Sequence, residues 1–379
     1  MPERRRLPRP HLPQIPHPPP EELEALLAAE VEAPKPSFFE RLLRWGLLIF
    51  AVVSVIGFSV ALVITQNWEA SFDALVRIQP WWVIPAALVP ILDWLGGGLR
   101  LRALLRPVGA HVSLLRCTQI SAVTSATAWL TPSGAGGGPA QLYGLTREGV
   151  PIGRAGAVNA MTFLSNLTFL AVAGLAAWGA GAAADIAHLR LPVGDLSAGR
   201  LFQWCAGAVV LAITVILVLA LLPAVARGIL KRAFRQHHRL ERWLHHLDEL
   251  RLGMLTYLWS GKLAFLGSVL ASTVHIGSRI VLGWVLLRGF GIHAPFWHVV
   301  FLHTMIQFLL FFAPTPGGAG VGEILTPIVM APFLPGTLLV PYTALWRVFM
   351  TYISVGVGGG LLLTWLGKRG RRVRAPGDP

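Results

Sequence analysis

Apolar segments long enough to cross a bilayer recur along this chain, and they leave few folds open to it. An α-helix crosses a hydrocarbon core about 30 Å thick with roughly 20 apolar residues. Eight such helices are predicted, near 42–65, 81–105, 112–131, 154–182, 201–226, 263–287, 297–313 and 339–366. Of the 379 residues 54% are hydrophobic and only 13% charged, whereas a soluble domain carries about a quarter charged residues. A soluble globular fold is thereby excluded, and the fold class expected is an all-α polytopic membrane protein. Trp45, Trp68, Trp81, Trp82, Trp129, Trp178, Trp204, Trp259, Trp284, Trp297 and Trp365 stand at or near the predicted helix ends, where an aromatic belt would put them.

Residues 1–36 are Pro-rich and charged, and read as a disordered cytoplasmic arm with a short acidic helical stretch around Glu21 to Glu32. The first apolar run starts too late and runs too long for the h-region of a signal peptide. In 227–262 the pattern is amphipathic, with Leu240, Trp243, Leu244, Leu247, Leu250 and Met254 opposite Arg235, Arg239, Arg242, His246 and Glu249. Such a helix suits the interface with anionic headgroups. The pairs His237/His238 and His245/His246 lie on its solvated side, and Cys117 and Cys205 lie within predicted spans. Neither set supports a metal site or a disulfide framework, and no cofactor is expected.

The net charge of +14 is spread between the apolar runs, so it reads as membrane orientation and not as a nucleic-acid face. Basic residues crowd the arm and first helix edge (seven up to Arg44), the 98–116 loop (Arg100, Arg102, Arg106, Arg116), the 227–262 segment (eight) and the 369–379 tail. If these regions all face the cytoplasm of a bacterial inner membrane, both termini are cytoplasmic. Eight ordinary spans cannot connect them that way.

Two Gly-rich blocks supply what is missing. Thr131-Pro132-Ser-Gly134-Ala-Gly136-Gly137-Gly-Pro139 and Thr315-Pro316-Gly317-Gly318-Ala-Gly320-Val-Gly-Glu323 match in register, and each follows one apolar helix that is itself preceded by Gly-x-His, at Gly109–His111 and Gly291–His293. The segments must cross, or dip in and emerge on the opposite side. The helix before the first block then runs outward and the helix before the second runs inward, which makes an inverted repeat of the kind that builds transporter sites from broken helices. Glycine and proline favour such breaks, and irregular backbone at membrane depth is tolerated where it lines a cavity. The plainer alternative is that the glycines only let helices pack closely.

Four ionisable residues fall at predicted membrane depth: Asp93, Arg279, Glu323 and Arg347. Each costs about 2.5 to 3.5 kcal/mol at a helix centre unless compensated. They are expected to pair in one neutral cluster, and arginine forks beside broken-helix N–H groups suit a lipid phosphate. A buried ion pair that only fixes helix packing is the other reading. His275, His303, Gln307, Asn159, Thr162 and Asn166 line the same spans. Glu323 is open to two readings, an acid favoured by a helix N-terminus or a proton or cation carrier. The expected substrate-binding set is Thr131, Pro132, Gly134, Gly136, Gly137, Thr315, Pro316, Gly317, Gly318, Gly320 and Glu323, with Arg279, Arg347, Asp93, His275 and His303.

The run Pro314 to Glu323, with Arg347 in the last span, resembles the lysylphosphatidylglycerol synthase transmembrane region, also called the flippase-like or UPF0104 family, over roughly 40–370. Pro316, Gly317, Gly318, Gly320, Glu323 and Arg347 match its pattern, while Pro139 stands in the first block where the second has Glu323. The resemblance implies movement of phospholipids or lipid-linked molecules between leaflets. The chain ends too soon after its last span to hold the soluble aminoacyl-transferase domain of the bifunctional relatives, so lysyl transfer is not expected. Three functions stay open: a flippase or transporter of an anionic lipid substrate, an enzyme acting on a headgroup within the bilayer with His275 or His303 as acid or base, and a non-transporting subunit of a lipid or glycan synthesis complex. The partners expected are membrane phospholipid and the bilayer, with no nucleic acid, and a homo-oligomer is left open.

Overall fold

A computed structural model describes residues 36–65, 68–76, 78–181, 261–311 and 313–373, with a few positions between 197 and 257. The arm, most of the 201–226 helix, the amphipathic segment with its histidine pairs, Cys205 and the end of the tail lie outside the described residues. The described part is helical: α1 (Pro36–Thr65), α2 (Trp68–Val76), α3 (Pro80–Leu105), α4 (Leu114–Trp129), α5 (Gly137–Arg147), α6 (Ile152–Gly179), α7 (Lys262–Gly289), α8 (Phe296–Phe311), α9 (Val321–Met330), α10 (Gly336–Arg347) and α11 (Ile353–Val373). A π-helical turn at Val348–Tyr352 joins α10 to α11. Among the described residues, five stretches are long and apolar enough to cross a bilayer: Arg44–Val63, Pro80–Leu105, Ile152–Gly179, Lys262–Gly289 and Gly336–Leu366. The chain is a multi-pass membrane protein.

The two helices before the Gly-rich blocks are not full spans. α4 and α8 have 16 residues each, about 24 Å at 1.5 Å per residue. Each turns at its block and returns to the end it came from. A side chain at Gly137 would meet Ala128, one at Gly144 would meet Ile120, and Glu148 reaches Arg116 at 3.8 Å, so α5 runs back along α4. In the second hairpin Phe333, just beyond α9, stacks on His298 near the start of α8 with ring centroids 6.0 Å apart.

The hairpins enter from opposite ends. α3 and α7 pack antiparallel: Gln79 N–H donates to Gly289 O at 2.9 Å, Asp93 meets Arg279, and Gly96 lies on the backbone of His275. α4 begins where α3 ends and α8 begins where α7 ends, so the two hairpins point at each other. Their tips touch. Pro132 and Pro316 form an antiparallel bridge, and Ser133 donates to Ala313 O through its N–H (2.9 Å) and its hydroxyl (3.1 Å). The Gly-x-His element is repeated in detail as well. Gly109 (φ 69°) and Gly291 (φ 76°) each close a helix left-handedly, with Ala110 N–H donating to Leu105 O and Ile292 N–H to Leu287 O. Glycine adopts that conformation without the Cβ clash other residues meet.

The hairpins return the chain to the end from which each block is entered. Arg147 donates to Trp365 O, Arg154 to Val108 O, and Arg116 faces Glu148, so the 106–116 loop, Gly149 and the end of α11 share one end. Ser71, just beyond α1, donates to Thr337 O at the start of α10, which puts that turn at the other end.

Between the helices, glycines act as spacers where packing is tightest. Gly96, Gly97 and Gly98 bring α3 against His275, Ser121 and Thr118, and Gly358 brings α11 onto Ala122. One apolar cluster joins α6, α7, α8, α9 and α10, and a second joins α3, α4, α5, α6 and α11.

Candidate functional site

The four deep charges form two separate pairs and not one cluster. Asp93 on α3 receives Arg279 of α7 through both oxygens, with Nε to Oδ1 at 2.7 Å and Nη2 to Oδ2 at 2.9 Å. His275 Nδ1, one turn before Arg279, lies 2.8 Å from the same carboxylate and from the Asp93 backbone oxygen. Arg279 also reaches Ser125 Oγ at 3.3 Å and stacks over Trp129 at 5.6 Å. Trp129, expected in the aromatic belt, is therefore at the centre of the fold and only 8% exposed.

The second pair ties down the second block. Arg347 donates to Glu323 Oε2 at 2.9 Å, to Gly317 O at 2.8 Å and to Gly318 O at 2.7 Å, and both charged residues are fully buried. Gly317 (φ 59°) and Gly318 (φ 61°) direct those carbonyls at the guanidinium. Thr315 Oγ1 donates to Ala319 O at 2.7 Å, and Gly320 opens α9 against Val53 of α1. The first block is held by a hydroxyl instead. Thr131 Oγ1 accepts from Gly136 N–H at 2.7 Å and donates to Thr127 O at 2.9 Å.

Beside the touching tips lies a cavity of about 450 Å³, walled by α3, α4, α5, α6, α7, α8 and both blocks. Of the expected set, Gly134, Gly137, Gly317, Gly318, Arg279 and His275 line it, together with Asn159, Thr162, Asn166 and Gln307. Asp93 stands behind Arg279. Thr131, Pro132, Gly136, Thr315, Pro316 and Gly320 shape the tips, and Glu323 and Arg347 form the buried brace. His303 stays apart: its Nε2 bonds the Tyr342 hydroxyl at 2.5 Å and its ring packs on Trp346.

Arg100 is the residue the sequence placed wrongly. Read as a loop residue, it is 3% exposed within α3, lines the cavity and donates to Asn166 Oδ1. Its position seven residues after Asp93, two turns along one helix face, is the signal that could have found it. The remaining wall is polar around Thr124, Ser125, Ser121 and Gln141, and apolar around Phe163, Leu167, Leu170 and Phe311. Among the described residues, four buried wall atoms have no hydrogen-bond partner: Arg100 Nε, Thr124 Oγ1, Trp129 Nε1 and Gln307 Nε2.

A pocket of this volume accommodates a small ligand. Its wall offers guanidinium, indole, amide and hydroxyl groups on one side and an apolar flank on the other. The chain is similar to a UPF0104 membrane protein of Archaeoglobus fulgidus, at 24% identity over 333 residues that make up 83% of this chain and 94% of that one. The lysylphosphatidylglycerol synthase TM region matches residues 44–358, which include both hairpins, the cavity and the two ion pairs. On that match across most of its length, the chain belongs to the lysylphosphatidylglycerol synthase TM region family.

Proposed function

We propose that this protein is a transporter or flippase of the bacterial cytoplasmic membrane, moving a phospholipid or lipid-linked anionic substrate between leaflets. The observation that carries the reading is the wall of the central cavity, where Arg100 and Arg279 stand at the meeting of two opposed hairpins with, among the described residues, one carboxylate beside them, Asp93 behind Arg279. Charge at membrane depth is retained at a cost, and default expectation ties it to a substrate path. Opposed re-entrant elements are the scaffold on which alternating access is built. The apolar side of the cavity, with Phe163, Leu167 and Phe311, suits the acyl-proximal part of a lipid. Donors that hold a headgroup without consuming it fit a carrier better than a catalyst, and the basic end of the fold is cytoplasmic on this reading.

The experiment is leaflet exchange in vesicles containing the purified protein and a trace of fluorescent phospholipid. Exchange is expected to be faster with protein than without, and the Asp93→Asn, Arg279→Gln double variant, which orphans neither charge, to return it to the protein-free rate. Equal rates with and without protein for every lipid class tested would refute the reading.

A further inference from the structure

The cavity wall holds more donors than it can satisfy, and the surplus defines the chemistry of its ligand. Among the described residues, the charged and titratable groups in mutual electrostatic reach are Arg100, Arg279, Asp93 and His275. Asp93 commits both oxygens to Arg279. Arg100 has a neutral partner in Asn166. With His275 neutral, two guanidinium charges are therefore balanced by one carboxylate, and a protonated His275 would only add to the excess.

Hydrogen bonding points the same way. Among the described residues, Arg100 Nε and Trp129 Nε1 are buried on the wall without a partner, on residues 3% and 8% exposed. Guanidinium and indole nitrogens can only donate, so this deficit does not depend on how any amide is oriented. A ligand that completes the site must bring negative charge and acceptor oxygens. Phosphate does both. An ammonium group does neither, since it offers donors alone.

Resting on the transport reading above and narrowing it, we propose that Arg100, oriented by Asn166, and Arg279 receive the phosphate of a net-anionic headgroup, and that the site rejects headgroups carrying an aminoacyl cation. A lysyl ester adds two ammonium charges to a phosphodiester and makes the headgroup net cationic. The aminoacylated lipid in the family's name is thus the one this cavity suits least, and Arg100 is the residue that sets the preference.

Binding to the full-length protein in a non-ionic detergent tests this without any transport step. Calorimetric titrations would use dihexanoyl phosphatidylglycerol, its lysyl ester, glycerol 3-phosphate and inorganic phosphate. The unmodified lipid is expected to bind at least about tenfold more tightly than the lysyl ester, the difference between gaining and losing a charge-assisted contact. Arg100→Gln should erase that preference. Should Arg100→Gln not fold, Asn166→Asp keeps the side chain's shape, neutralises the surplus charge and should erase it too. Stronger binding of the lipid than of the two soluble phosphates assigns the site to a headgroup, and equal binding assigns it to free phosphate. A lysyl ester that binds as tightly as the parent lipid, or a preference that survives in the folded variants, overturns the proposal. Selective binding without leaflet exchange would sink the transport reading alone, and equal exchange of both lipids would sink this one alone.

Discussion

Asp93 and Arg279 meet fork to fork between α3 and α7, at 2.7 and 2.9 Å, with the carboxylate fully buried. Removing one partner of such a pair leaves an uncompensated charge, which costs about 3 to 5 kcal/mol. Asp93→Asn should therefore lower the thermal midpoint of the purified protein sharply. Asp93→Asn combined with Arg279→Gln should recover part of the loss, because the orphaned charge goes as well. A double variant no more stable than the single would contradict the pair's role.

Arg347 satisfies two hairpin-tip carbonyls and one carboxylate at once. Arg347→Ala is expected to reduce folded yield, since it leaves Glu323 charged and buried. Glu323→Gln keeps an acceptor but removes the counter-charge of a fully buried guanidinium, so it too should cost on the order of 3 to 5 kcal/mol, offset in part by the two carbonyls that still accept from Arg347. Size-exclusion profiles of the two variants read this directly. Monodisperse Arg347→Ala protein at full yield would remove the brace from the account.

Gly317 and Gly149 both have positive φ, 59° and 83°, but only Gly317 is confined. A Cβ there would meet the Trp129 carbonyl and the Phe50 ring, whereas nothing lies within 4 Å of one at Gly149. Gly317→Ala should thus cost more than the roughly 1 to 3 kcal/mol of backbone strain alone, and Gly149→Asn less. Melting curves of the two should separate clearly.

Gly149 and Gly336 lie at opposite ends of the fold, beside Glu148 and beside Thr337, whose carbonyl accepts from Ser71. Single cysteines placed there in a background lacking Cys117 and Cys205 should react with a membrane-impermeant thiol reagent from opposite sides. Positive-inside orientation predicts that Gly149→Cys is reached from the cytoplasm. Labelling of both from one side would break the inverted arrangement.

The repeat was legible because its markers are backbone devices. A glycine that closes a helix left-handedly, as Gly109 and Gly291 do, leaves the same letter in both halves, and so does a Pro-Gly block that must bend. Helix length was less legible. α4 and α8 read as spans because their residues are apolar, and nothing in composition tells a half-crossing arm buried in protein from a crossing helix bathed in lipid. Pairing was hardest, since it depends on which helices touch. Glu323 and Arg347 share adjacent elements, Asp93 and Arg279 sit on antiparallel helices far apart in the chain, and no local spacing announces the difference. Arg100 was hidden by its company: Arg102 and Arg106, close behind it, are exposed as expected of a helix end.

The hairpin tips meet backbone to backbone. Beside the proline bridge and the two hydrogen bonds from Ser133 to Ala313 O, each contributing about 1 kcal/mol, Gly317 lies so close to the Trp129 carbonyl that a Cβ would collide with it. The braces on either side, Thr131 below one loop and Arg347 below the other, keep each loop's own shape. The middle of the molecule is consequently a seam between two separately braced loops, so that altering the side chains of one need not undo the shape of the other.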